Sequence, residues 1–71
     1  MTWNKSRIKA LLKHLNIGME ALAVEVSRNG GKATYQTVFS WKHGYTKPGY
    51  ANANALNVIA RRSGYACNNP E

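Results

Sequence analysis

Apolar residues recur at helical spacing in four segments of the chain, and glycines separate these segments. In the first segment the aliphatic side chains stand at i, i+3, i+4 and i+7: Ile8, Leu11, Leu12 and Leu15. This spacing puts them on one face of a helix, whereas a half-buried strand would need alternating apolar and polar residues. We therefore expect an all-α fold, a small bundle of four helices or at most five, built around one core.

Capping residues and glycines predict where the helices begin and end. Asn4 or Ser6 suits the start of the first helix, and Thr34 suits the start of the third. Gly44 and Gly64 suit C-terminal caps, because glycine readily adopts the left-handed backbone conformation found there. The expected helices span residues 5–15, 19–27, 35–43 and 50–63. The expected inward side chains of the last three are Leu22, Ala23, Val26, Val38, Trp41, Ala55, Leu56, Ile59 and Ala60.

The chain is expected to form one domain over residues 1–64, followed by a flexible C-terminal tail over residues 65–71. Trp3 is expected to cover one end of the bundle. The outer face of the first helix is expected to expose its basic residues: Lys5, Arg7, Lys9, Lys13 and His14. A chain of 71 residues is too short to enclose a deep substrate pocket.

The charge balance is strongly positive. Ten lysines and arginines oppose three acidic residues, which gives a formal net charge of +7. Such a balance favours an anionic partner: nucleic acid, an acidic protein surface or anionic lipid. No apolar run approaches the ~18 residues that a membrane helix needs, and no signal peptide is evident. We expect a location in a bacterial host cytoplasm, in association with the nucleoid.

Catalytic, metal and cofactor sites are not expected in this chain. Glu20 and Glu25 stand on one helix at i, i+5 and make no convincing acid–base pair or nucleophile triad. His14, His43 and Cys67 are too few and too scattered for a zinc site. The single cysteine suits a reducing cytoplasm. We therefore expect no enzyme, no metal, no cofactor and no small-molecule ligand.

The most informative stretch is residues 34–48, TYQTVFSWKHGYTKP. A helix that starts after a capping threonine would bury Val38 and Trp41 and present other side chains outward: Tyr35, Gln36, Phe39, Ser40 and His43. This construction is typical of a recognition helix, which offers side chains to base edges in the major groove of DNA. The Gln36 amide can make two hydrogen bonds to one adenine. Phe39 suits a thymine methyl group or a self-association patch.

With this stretch in place, the chain resembles the lambda-repressor-like, Cro/Xre-type helix-turn-helix regulators of phages and bacteria. The resemblance covers residues 8–64. It is carried by the apolar face of the first helix, Ala21-Leu22-Ala23, the span Thr34–Trp41, Gly44 three residues after Trp41, and Lys47-Pro48. It implies a phage or mobile-element protein that binds a palindromic operator in double-stranded DNA as a homodimer and regulates transcription, as a repressor does.

The resemblance also implies which residues contact DNA. The first residues of the third helix would contact bases, and the outward aromatic residue of that helix joins them: Tyr35, Gln36, Phe39 and Ser40. The loop after the helix would contact phosphates. Together with nearby basic and capping residues, the expected phosphate contacts are Arg28, Lys32, Thr34, Lys42, Tyr45, Thr46 and Lys47.

Three features depart from the family pattern. The turn between the second and third helices, residues 27–33, is about five residues longer than is usual in the family. Met19 replaces a glutamine that contacts phosphate. Lys42 replaces a common acidic residue, and Leu12 stands where an arginine would pair with it. The last of these changes removes an internal ion pair and leaves Lys42 available for phosphate.

Other functions fit parts of the sequence. A small basic helical module or a phage-encoded inhibitor could bind an acidic protein surface, with Tyr35, Phe39 and Tyr45 as anchors. RNA binding lacks a recognisable module. The glycine-rich turn at 30–34 lacks the spacing of a nucleotide-binding phosphate loop, although a glycine turn with Lys32 ahead of a helix suits one phosphate.

Overall fold

The computed structural model describes residues 3–65, and within that range it contains four helices and no strand. The helices are α1 (Lys5–Leu15), α2 (Met19–Arg28), α3 (Tyr35–His43) and α4 (Tyr50–Ser63). The predicted all-α class and helix count are confirmed. The predicted bounds are confirmed too, except that α2 continues one residue further, through Arg28.

Local capping accounts for the helix ends. The Asn4 side chain accepts a hydrogen bond from the Arg7 backbone N–H at 2.9 Å, so Asn4 caps α1. The Thr34 hydroxyl accepts one from the Thr37 backbone N–H at 3.3 Å and caps α3 in the same way. Gly44 ends α3 in the left-handed conformation, at φ 80°. A side chain at that position would be strained, which is why glycine suits it.

The core lies between the inward faces of all four helices. Among the described residues, its buried apolar members are Trp3, Ile8, Leu11, Leu12, Leu22, Ala23, Val26, Val38, Trp41, Ala55, Leu56, Ile59 and Ala60. The inward faces predicted for α2, α3 and α4 are therefore confirmed. Helix α3 packs against both α1 and α2, and its buried residues are Val38 and Trp41. This packing leaves the opposite side of α3 facing outward.

Trp3 is part of the buried core. Its ring is buried, and its indole Nε1 donates a hydrogen bond to Asn57 Oδ1 at 2.8 Å. Tyr65 stacks on this ring with 6.4 Å between the centroids. The predicted tail begins at residue 65, but Tyr65 packs against the core, so the packed region extends at least that far. Cys67 and the rest of the predicted tail lie outside the described residues.

The prediction that Arg7 lies on the exposed face of α1 is wrong. Arg7 is 7% exposed and belongs to the buried side of the helix. It precedes Leu11 by four residues, which is one helical turn, so the two share a face. The long aliphatic stem of an arginine allows such burial. The buried face of α1 is thus broader than its four aliphatic residues indicated.

The connection between α2 and α3, residues 29–34, is fastened to two helices. The Gly31 N–H donates to the Val26 carbonyl at 2.9 Å, at the end of α2. The Lys32 N–H donates to Asn52 Oδ1 at 2.7 Å, on α4. The Ser27 hydroxyl donates to the Ala33 carbonyl at 3.2 Å. The predicted long turn therefore has a defined path that sets where α3 starts.

Gly31 in this connection has no room for a side chain. A Cβ atom there would lie 2.5 Å from Asn52 Oδ1 and 2.6 Å from Val26 Cγ1. Val26 is fully buried, and Asn52 is held by its hydrogen bond to Lys32, so neither can withdraw without loss. We expect Gly31→Ala to destabilise the fold by about 1–3 kcal/mol. Thermal melting followed by circular dichroism measures this effect.

Gly18 provides the matched control for this substitution. It caps α2 without a side-chain hydrogen bond, at φ −85°. A Cβ atom added to Gly18 would have no other atom within 4 Å. Gly18→Ser should keep or slightly raise the melting temperature, because serine is a good N-cap. Equal melting temperatures for wild type and Gly31→Ala would show that the connection is not fastened as described.

Candidate nucleic-acid interface

The outward side of α3 forms an open depression of about 360 Å³. It is lined by Tyr35, Gln36, Phe39, Ser40 and Tyr45. All four residues predicted to contact bases therefore lie together in one place. Their convergence follows from helical geometry, since positions 35, 36, 39 and 40 share one face. Tyr45, predicted as a phosphate contact, completes the lining from outside the helix.

Capping of α3 brings Tyr45 to this position. The Tyr45 N–H donates to the Ser40 carbonyl at 2.9 Å, and the Gly44 N–H donates to the Trp41 carbonyl at 3.2 Å. These bonds fold the chain back over the last turn of α3, as in other glycine-ended helices. The Tyr45 ring consequently lies 6.4 Å from that of Phe39.

Four rings form a continuous aromatic cluster along α3: Tyr35, Phe39, His43 and Tyr45. Phe39 lies at its centre, 6.2 Å from Tyr35 and 4.2 Å from His43 between ring centroids. His43 stacks on Tyr45 at 5.9 Å. Phe39 is half-buried among the other three rings, so it is less outward than predicted. Tyr35 and Tyr45 are 48% and 72% exposed and present the accessible aromatic surface.

Gln36 and Ser40 supply the polar groups of the depression. Gln36 is exposed and Ser40 half-buried. A glutamine amide offers a donor and an acceptor side by side, and a serine hydroxyl offers both roles at one atom. The depression therefore combines aromatic surface with groups that can recognise hydrogen-bonding edges.

The residues predicted to contact phosphate lie around both ends of α3 and do not converge on one point. Arg28 and Thr34 border a second depression at the start of α3. The Arg28 guanidinium lies 3.7 Å from a Glu25 carboxylate oxygen in an exposed pair. Thr34 already serves as the cap of α3, and its hydroxyl lies 3.1 Å from that of Thr37.

The remaining phosphate candidates lie near the start of α4, in the last turn of α3 and in the connection between these two helices. Lys32 borders a depression at the start of α4, next to Asn52. Lys42 is in the last turn of α3 and is half-buried. Thr46 and Lys47 are exposed in the connection between α3 and α4. The exposed hydroxyl and ammonium groups here can reach an anionic ligand.

Lys5 is a cation near this surface whose position could not be predicted from the sequence. A Cβ atom on Gly44 would lie 3.1 Å from Lys5 Cδ, so the Lys5 side chain passes the C-terminal end of α3. Because the contact joins positions 39 residues apart in the chain, no local pattern could reveal it. Lys5 adds positive charge near the C-terminal end of α3.

Within residues 3–65, no three His, Cys, Asp or Glu side chains are grouped so that they could hold a metal ion. None of the four helices combines the length and hydropathy needed to span a bilayer.

Comparisons of the chain with known protein families, characterised proteins and solved structures give no match. The resemblance to lambda-repressor-like regulators stays a prediction from residue pattern. The functional proposal therefore depends on the geometry and charge of the α3 surface.

Proposed function

We propose that this chain is a sequence-specific DNA-binding regulator that inserts α3 into the major groove. The observation that carries the proposal is the depression on α3, where Gln36 and Ser40 lie beside an exposed aromatic surface. A helix with its side chains is about 10–12 Å across, and the major groove is about 12 Å wide. The net charge of +7 supplies the attraction to DNA.

In this proposal α2, the long connection and α3 form a helix-turn-helix with an elongated turn. Such a turn could swing the recognition helix away from the groove if it were loose. Here the hydrogen bonds from Gly31 and Lys32 fasten it to α2 and α4. Val38 and Trp41 anchor the inner side of α3 in the core. These contacts support a rigid presentation of the outer side of the helix, which base recognition requires.

The side chains of the depression have separate roles in this proposal. Gln36 would accept a hydrogen bond from adenine N6 and donate one to N7. Ser40 would contact a neighbouring base. The aromatic cluster would pack against apolar base surface, such as a thymine methyl group. The cations around the ends of α3 would contact phosphates on both sides of the groove and so orient the helix.

The biological setting is the one that the resemblance to lambda-repressor-like regulators implies. We propose a repressor of Cro type that is encoded by a phage or mobile element and acts in the bacterial cytoplasm. Helix-turn-helix proteins usually bind as dimers to two half-sites one helical turn apart. A homodimer would therefore recognise a palindromic operator.

A second function is favoured by the exposure of the aromatic cluster. Tyr35 and Tyr45 are large and accessible, and tyrosine is enriched at the energetic centres of protein interfaces. The chain would then bind an acidic protein surface. Selection of binding sites from random duplex DNA separates the two functions, since a protein-binding module would recover no common sequence.

Gln36→Ala tests the proposed function at one residue. With the selected operator, the variant should lose about 1–3 kcal/mol of discrimination at one base pair in each half-site, or about 5–150-fold. Its affinity for unrelated DNA should hardly change, because Gln36 is uncharged and the phosphate contacts remain. The measurement is a titration against the operator and its single-base variants.

Asn54→Ala is the matched control, since Asn54 is an exposed amide side chain on α4. It should retain full discrimination at every base pair. The recognition role of α3 would be refuted by a Gln36→Ala variant that loses affinity equally for all sequences, or that loses none.

A further inference from the structure

We propose that a second copy of this chain docks on the outer face of α2, antiparallel to it, about a two-fold axis beside Val24. The surface consists of Glu20, Val24 and Arg28, which we call the α2 row. The proposal rests on the homodimer of the proposed function and names its interface. Because it concerns association of the protein in solution, its test does not depend on what α3 binds.

The α2 row stands on one side of the helix, at i, i+4 and i+8. Val24 is 48% exposed, whereas Leu22 and Val26 on the inner side of α2 are fully buried. Contact with a second copy would remove the exposed part of Val24 from water.

The order of charges along the row is complementary to itself. Glu20 and Arg28 stand four residues either side of Val24, about 6 Å along the helix axis in each direction. In an interface with two-fold symmetry, residue i of one copy meets residue j of the other, and j meets i. Antiparallel α2 helices would therefore place Val24 against Val24 and pair each Glu20 with Arg28 of the other copy.

The present partner of Arg28 does not prevent this exchange. Its contact with Glu25 is 3.7 Å long, and the two side chains are 72% and 44% exposed. An exposed pair of this kind contributes little to stability. Arg28 can therefore turn to a carboxylate of the second copy, while Glu25 remains close by and adds negative charge.

The net charge of the chain favours this face over the others. At +7, two copies repel each other wherever basic surfaces meet. Exposed cations mark the outer side of α1 at Lys9 and Lys13 and the end of α4 at Arg61 and Arg62. Two of the three acidic side chains of the sequence, Glu20 and Glu25, belong to α2. Two α2 helices placed face to face bring opposite charges together, whereas two of the basic surfaces would bring like charges together.

The α2 row borders a depression of about 430 Å³, which would receive side chains of the second copy. Small side chains line it at Ala23, Ser27 and Ala33, and Tyr35 forms part of its rim. Because these side chains are small, a helix of the second copy can approach closely there. Tyr35 also borders the depression on α3, so the two surfaces adjoin.

Charge exchange within the α2 row tests the proposal by sedimentation equilibrium without DNA. Glu20→Arg and Arg28→Glu should each weaken dimerisation about tenfold or more, because each places like charges opposite one another twice. The double variant should dimerise as wild type does, since its charges are again complementary. An equimolar mixture of the two single variants should form mixed dimers.

Arg28→Glu separates this proposal from a general effect of charge. Replacing Arg28 with glutamate lowers the net charge by two, from +7 to +5. Reduced repulsion between the two copies would by itself strengthen association. The proposal expects weaker association instead. Arg61→Glu, an exposed substitution on α4 with the same net charge, is the control and should not weaken dimerisation. Circular dichroism verifies that each variant is folded.

Two results would overturn the proposal. One is a wild-type protein that stays monomeric up to millimolar concentration. The other is an Arg28→Glu variant that dimerises as strongly as wild type. Neither result would affect the proposed binding of α3 to DNA, which Gln36→Ala tests separately.

Discussion

Replacing Trp41 with alanine is expected to remove most of the stability of the protein. The Trp41 ring is 2% exposed and lies in the core that α3 shares with α1 and α2. Removing a buried tryptophan costs about 3–5 kcal/mol in transfer free energy and residual cavity. A domain of 71 residues has roughly 4–11 kcal/mol in total. We expect a melting temperature at least about 12 °C below wild type, or no folded state.

Thermal melting by circular dichroism measures this effect, with Tyr50→Ala as the control. Tyr50 is 86% exposed, so its replacement should leave the melting temperature within a few degrees of wild type. A Trp41→Ala variant that melts like wild type but no longer binds DNA would place Trp41 in the interface. That result would reverse the assignment of the inner and outer sides of α3.

Helix bounds could be predicted well because their causes are local. Asn4 and Thr34 cap helices through hydrogen bonds that reach only three residues along the chain. Gly44 and Gly64 end helices through their own backbone conformation. The buried faces of α2, α3 and α4 follow in turn from the spacing of apolar residues within each helix.

Features that depend on contacts between distant segments could not be predicted in this way. The Lys32 N–H meets Asn52, which is 20 residues away, and Tyr65 stacks on Trp3 from the opposite end of the chain. Arg7 is buried because the packing around α1 extends beyond its aliphatic stripe. Neither the spacing nor the residue type of these positions indicates the partner.

The same distinction between local and long-range causes applies to the candidate site. Tyr35, Gln36, Phe39 and Ser40 belong to one helix, and their shared face could be predicted from their positions alone. The half-buried state of Phe39 and the approach of Lys5 arise from the folded arrangement. The result is a denser aromatic surface than the helix would present by itself, with one more cation near the C-terminal end of α3.

Affinity for DNA is expected to fall by about three orders of magnitude between 50 and 200 mM salt. Each phosphate contact releases counterions and contributes about −0.9 to the slope of log affinity against log salt. Three cations of the predicted interface, Lys32, Lys42 and Lys47, would make about six contacts in a dimer on its operator, for a slope of about −5. Arg28, another predicted phosphate contact, is not counted because the proposed dimer pairs it with Glu20 of the second copy. The net charge of +7 should also make binding to unrelated DNA depend steeply on salt.

Substitution of single lysines measures how much each residue contributes to this slope. Lys47→Ala should flatten it by about one for each contact removed, hence about two for a dimer, and should weaken all sequences alike. Lys13→Ala is the control, because Lys13 is exposed on α1 and is not one of the predicted contacts. Its slope should equal that of wild type. Fluorescence anisotropy titrations at several salt concentrations measure both effects. An affinity for duplex DNA that does not change with salt would exclude the phosphate contacts, and with them the docking of α3 that they are proposed to orient.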